Sequence, residues 1–67
     1  MTQLTLYPST NIKSADYDGK LRITFHNGGV YEYDDVPQEV VDGLVRDRSP
    51  GKYFAKKIKG VYEWRKL

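Results

Sequence analysis

The sequence predicts an α+β domain, an antiparallel sheet with element order β-β-β-α-α-β and two short helices packed on one face. Three observations predict it. The stretch LRITFH (21–26) alternates Leu21, Ile23 and Phe25 with Arg22, Thr24 and His26, the period-two pattern of a half-buried strand. Two segments that follow Val36-Pro37 and Ser49-Pro50 carry apolar residues at helical spacing. Finally, GVYEY (29–33) returns as GVYEW (60–64), which reads as a closing strand. Strands on one side and helices on the other must bury their apolar faces against each other, and a two-layer domain does so.

Residues 1–8 read as an extended lead-in ended by Pro8 and free to fray, and 9–67 as the single domain. Ile12–Tyr17 is a weak strand. Asp18-Gly19 marks a tight turn of the type with two left-handed residues, which Asp-Gly supplies at low cost. After the clear strand 21–26 comes Asn27-Gly28-Gly29, then a returning strand over Val30–Asp34.

Register decides where the tyrosines point. A two-residue Asn27-Gly28 loop pairs Phe25 with Val30 and sets Glu32 opposite Ile23, on the apolar face. A three-residue loop ending in a left-handed Gly29 pairs Phe25 with Tyr31 and Ile23 with Tyr33, and brings both tyrosines onto that face. The second arrangement is favoured.

Pro37 suits a first helical turn, and Asp34 or Asp35 just before it puts negative charge at the positive end of the helix dipole. Val40, Val41, Leu44 and Val45 then form an apolar stripe, with Glu39, Asp42 and Arg46 facing out. Gly43 costs this helix about 1 kcal/mol relative to Ala and is expected to allow close packing on the sheet. The second helix starts at Ser49 as N-cap with Pro50 first inside it. It buries Phe54 and Ile58, lines up Lys52, Lys56 and Lys59 on the opposite side, and ends at a left-handed Gly60. The last strand, 61–66, places Tyr62 and Trp64 on one face. GVYE is not the trace of a duplication, because its flanks differ at both places and a repeat would copy its whole unit.

Composition bounds the function. The 67 residues make one small domain with no cysteine, so neither disulfides nor thiolate metal sites staple it, and its aromatics (six Tyr, two Phe, one Trp) must supply much of the core. No segment nears the roughly 20 apolar residues of a membrane span, and no secretory pattern opens the chain, so cytoplasm is the default location. Charge is segregated. Residues 1–45 carry three bases against seven acids, whereas 46–67 carry eight bases against two. A basic end on an acidic domain points to an anionic partner.

Chemistry-bearing motifs are few. His26 stands alone and suits an exposed position at a strand end. Metal binding needs several converging ligands, and none is spaced for it. The Asp34-Asp35 neighbours point to opposite faces of a strand, which argues against an acid/base pair. SPGK lacks the first glycine and the Ser/Thr of a phosphate loop, and no nucleophile triad is present. The reading is therefore non-enzymatic, with no catalytic residue, metal or cofactor.

Four stretches in order (the Tyr31-Glu32-Tyr33 strand, Val36-Pro37, Gly51-Lys52-Tyr53-Phe54, and a closing aromatic strand) make residues 9–64 resemble the KTSC domain family. That family takes its name from a C-terminal extension of some lysyl-tRNA synthetases and includes stand-alone bacterial and phage proteins. Ala55 stands where members commonly carry Asn. The resemblance implies a small α+β domain, with RNA binding suggested by the synthetase context.

The candidate site combines phosphate-contacting bases (Lys52, Lys56, Lys57, Lys59 and Arg65) with Tyr53 and Tyr62 as stacking surfaces. Tyr53 is the expected exposed ring, because Phe54 and Ile58 already define the buried side. Tyr31 and Tyr33 are expected in the core. The competing reading of the lysines is a solvated helix face. The competing partner is an acidic protein, docked by a monomer or weak dimer of this module.

Overall fold

The alternation over 21–25 becomes the central strand of a five-stranded antiparallel sheet. The structure, a computed structural model, describes residues 2–67. Its elements are β1 (Thr2–Leu4), β2 (Ile12–Tyr17), β3 (Leu21–Phe25), β4 (Val30–Tyr33), α1 (Gln38–Arg46), α2 (Pro50–Lys57) and β5 (Trp64–Lys66). The sheet order is β1-β2-β3-β4-β5, and every neighbouring pair is antiparallel. The fold class and the order of elements match the expectation, with one short strand added at the start. Of the lead-in residues, Met1 lies outside the described residues. β1 sets Leu4 opposite Ala15, and Leu4 and Leu6 pack partly buried against the core.

Leu21 and Ile23 are completely buried on the inner face of the sheet, together with Ala15 and Tyr33. β2 looked weak because its inward residues, Ile12 and Ala15, are three apart. A bulge between Ile12 and Ser14 supplies the extra residue, so both point inward. Val41 and Leu44 of α1, with Phe54 of α2 and Ile58 just after it, close the core from the other layer. The Tyr17 hydroxyl donates to the Val36 carbonyl at 2.6 Å and ties the β4–α1 connection to the sheet.

Both hairpins differ in detail from expectation. Tyr17 pairs with Leu21 across a loop of three residues, 18–20, in which Gly19 alone is left-handed (φ +73°). One permissive residue is enough there, so the two-residue turn is not used. In the second hairpin the loop is His26-Asn27-Gly28, one position earlier than expected. Gly28 takes the left-handed conformation at φ +94°, its N–H bonds the Phe25 carbonyl, and Phe25 N–H bonds the Gly29 carbonyl. Tyr31 therefore faces Ile23 and Tyr33 faces Leu21. The loop keeps three residues, so the parity holds and both tyrosines lie on the inner face as favoured.

Three further expectations are corrected. The last strand spans 64–66 rather than 61–66, because the N–H groups of Val61 and Tyr62 turn back to the Ile58 carbonyl and leave no extended backbone there. Asp34 does not serve the α1 dipole, since its carboxylate is engaged by Arg65 and Lys20. Asp35 makes a left-handed turn at φ 57°, and Glu39 is the acid of the first helical turn. Gly43 makes room for α2 rather than for the sheet: a Cβ there would lie 2.7 Å from Cζ and 2.9 Å from Cε2 of Tyr53.

Candidate nucleic-acid interface

A groove of about 780 Å³ opens between α2 and the β3–β4 hairpin. Its floor is aromatic. The Phe25 ring meets Tyr31 edge-on at 5.4 Å and Phe54 at 5.5 Å, Phe54 meets Tyr33 at 5.4 Å, and Tyr31 meets Trp64 at 5.2 Å. Exposure rises along this chain of rings, from Tyr33 at 4% to Trp64 at 54%. Trp64 lies on β5, an edge strand of the sheet, and its ring is left exposed. Burial, with Tyr31 nearby, raises the Tyr33 phenol pKa, so it stays protonated.

The walls follow from helix periodicity. At about 100° per residue, the α2 side buried on the sheet carries Pro50, Phe54 and then Ile58. The next stripe round, Gly51, Ala55 and Lys59, lines the groove. One step further come the exposed Lys52 and Lys56. Lysine ammonium groups thus border an aromatic floor, and none of the residues lining the groove is acidic. Thr10, Asn11, His26 and Asn27 add polar side chains to its lining. Loop 9–12 is held by the Ser9 hydroxyl, which accepts from the N–H groups of Asn11 (3.1 Å) and Ile12 (3.2 Å). His26 is exposed beside the turn, and its Nε2 lies 3.0 Å from the Ser9 carbonyl.

The residues singled out in the sequence do not all meet here. Lys59 lines the groove, Lys52 and Lys56 are exposed one helical step beyond its wall, and Lys57 is exposed on the side of α2 toward α1. Tyr53 is not the exposed ring expected. It turns toward α1, lies half-buried over Gly43, and donates its hydroxyl to the Val40 carbonyl at 2.9 Å. Its pKa is raised first by burial, then by Tyr62, Asp47 and Glu39. Tyr62 is also partly buried and packs against the core.

Arg65 lies on the other face of the sheet. It pairs across the strands with Glu32, and its guanidinium contacts Asp34 at 2.7 Å and Glu32 at 3.6 Å. Arg22 contacts Glu32 at 2.9 Å, and Lys20 reaches Asp34 at 3.6 Å. The hydrogen bond from Arg22 holds the Glu32 carboxyl below the usual carboxylate range, and the one from Arg65 does the same for Asp34. This face is an ionic ladder already matched within itself.

Sequence reasoning left out Trp64, Ala55 and Gly51. The signal for Trp64 was its alternation with Arg65; that it would stand uncovered depended on β5 being an edge. Among the described residues, no three His, Cys, Asp or Glu side chains converge to hold a metal ion, and no helix is long and apolar enough to cross a membrane.

Two short helices on one face of a five-stranded antiparallel sheet, with an open aromatic groove beside a lysine row, define a small α+β module. The chain belongs to the KTSC domain family, whose sequence profile matches residues 8–62. It is 41% identical over 59 residues to a lysine–tRNA ligase of Nostoc punctiforme, covering 84% of this chain and 10% of that one. The chain thus spans about a tenth of the length of that relative. An uncharacterized protein of Stutzerimonas stutzeri is 37% identical over 49 residues, 69% of each chain. The crystal structure of a KTSC domain protein from Yersinia pestis superposes with a TM-score of 0.89 at 30% identity, covering 98% of this chain and 96% of that one.

Proposed function

We infer that this domain is a non-catalytic RNA-binding module whose contact surface is the aromatic groove and the lysine row beside it. The observation that carries this reading is the juxtaposition of the exposed Trp64 ring, tilted against Tyr31, with Lys59 on the same groove and Lys52 and Lys56 one helical step away. Aromatic faces accept any base by stacking, for about 1–3 kcal/mol each, and ammonium groups neutralise phosphates. The relative that joins lysine to tRNA supports RNA as the polyanion. Tyr53 and Arg65 act at a distance in this reading, the first by fixing α2 against α1 and the second by fixing β5 against β4.

The test is a titration of the protein with single-stranded RNA at low and moderate salt, followed by the amide shifts of 52–59 and by fluorescence of Trp64, the only tryptophan in the chain. Binding is expected to weaken with salt, with a log–log slope of about −0.7 per phosphate neutralised. Unmoved amides and unchanged fluorescence at low salt would reject RNA binding.

A further inference from the structure

The groove-facing stripe of α2 is built from small residues where it meets the aromatic floor. Gly51 and Ala55 are followed by Lys59. Gly51 lets α2 pack closely on loop 9–12, since a Cβ there would lie 3.1 Å from Ser9 Oγ and 3.4 Å from Asn11 Nδ2. Ala55 is exposed, and its methyl group is all that stands on the helix wall between Gly51 and Lys59. Resting on the RNA-binding reading, we propose that Ala55 leaves the groove wall open to one unpaired nucleobase, which makes the module select single-stranded over duplex RNA.

Three features of the groove support that occupant. The rings of Phe25, Tyr31 and Trp64 line the groove together with Ala55 and Asn27, and a base must leave a helical stack to lay its face on them. A duplex covers its base faces and offers its phosphates outward, so it meets the lysine row and not the floor. The polar residues of the groove suit a base edge: an Asn amide both donates and accepts. The Asn27 oxygen already accepts the Gly29 N–H at 2.9 Å, which leaves its amide nitrogen as donor. The charge fits as well, with Lys59 on the wall and no acid among the lining residues.

The experiment uses the whole 67-residue chain and reads affinity from the amide shifts of 52–59, which either RNA would move, with Trp64 fluorescence reporting contact with the floor. The probes are a single-stranded RNA of mixed sequence and the same strand annealed to its complement, at one salt concentration. The single strand is expected to bind at least about tenfold more tightly than the duplex, the value of one stacked base. Ala55→Leu should remove about that tenfold from single-strand binding and leave duplex binding and the thermal melt unchanged, whereas Ala55→Ser should bind as the parent does. Equal affinity for the two RNAs overturns the proposal while RNA binding stands. Parent-like single-strand binding by a folded Ala55→Leu overturns it too. No binding of either RNA at low salt removes both readings. If Ala55→Leu fails to fold, the comparison of the two RNAs on the parent protein still decides.

Discussion

Replacing a glycine inside a helix by alanine ordinarily stabilises it, by about 1 kcal/mol. At Gly43 the opposite is expected. The new methyl group would meet the Tyr53 ring at 2.7 Å from Cζ and 2.9 Å from Cε2, well inside contact distance. Either the two helices spread, an overpacking cost of about 1–3 kcal/mol, or the ring swings out. If it swings out, the hydroxyl bond to the Val40 carbonyl at 2.9 Å is broken, worth about 0.5–1.5 kcal/mol, and the ring's partial burial goes with it. Set against the helix gain of about 1 kcal/mol, Gly43→Ala should destabilise the domain by up to about 2 kcal/mol. A chain this short has a total stability of about 3–10 kcal/mol, so the urea midpoint shifts measurably with its slope unchanged. The sign should reverse when the ring is removed. In a Tyr53→Ala background, Gly43→Ala recovers its helix gain and stabilises by about 1 kcal/mol, a coupling of about 1–3 kcal/mol between the positions. Equal or greater stability of Gly43→Ala in the parent would refute the packing described for Tyr53.

Three other predictions follow from the two faces of the sheet. Glutamate at Lys56 and Lys59 should weaken single-stranded RNA binding and flatten its salt slope by about 0.7 for each phosphate no longer neutralised, read by fluorescence titration. Arg65→Ala should leave that affinity within about twofold while lowering the melting temperature, because Arg65 serves Asp34 and Glu32 on the far face. The Glu32 and Asp34 carboxyls are held below their usual range, so the unfolded chain takes up their protons first. Their contribution is present at neutral pH and is lost as the pH falls through and below the ordinary carboxylate range. Melts across that range should show Glu32→Gln with a lower melting temperature at neutral pH and a shallower acid decline.

Much of the fold was legible because its signals are local. The 21–25 alternation, a glycine at each hairpin and Pro50 after Ser49 fix conformation within a few residues. The parity of the Tyr31–Tyr33 strand was legible too, since charge at Glu32 rejects the apolar face whichever three residues form the loop. β1 was not. Three residues carry one useful apolar position, Leu4, and only its pairing with Ala15 gives it meaning. Tyr53 was misjudged for a related reason. Its spacing from Phe54 and Ile58 correctly removed it from the sheet side of α2, but the groove that receives it belongs to α1, ten residues earlier at Gly43. Arg65 seemed a neighbour of the lysines in the sequence, yet strand alternation sends it through the sheet, and its partners Glu32 and Asp34 come from β4 and the turn after it. The groove is non-local throughout, because its two walls come from different layers.

Under the proposed function, the GVYEY and GVYEW segments divide between stability and recognition within one set of rings. Tyr33 opposes Trp64 in register, yet the Trp64 ring leans on Tyr31, and Tyr33 meets Phe54 edge to face. A chain of 67 residues without disulfides has few large side chains to spare, so the rings that carry the core also run out to its surface. The cost of truncation should accordingly fall along the chain, from Tyr33 at 4% exposure to Trp64 at 54%. Burial sets the loss of stability, while access to a stacked base sets the loss of binding, so the two effects must run in opposite order along the same residues. Trp64 is therefore the position where recognition separates most cleanly from folding. The ionic ladder on the reverse face permits this, since it fastens β5 through Arg65 and leaves the inner side of the strand free for a ligand.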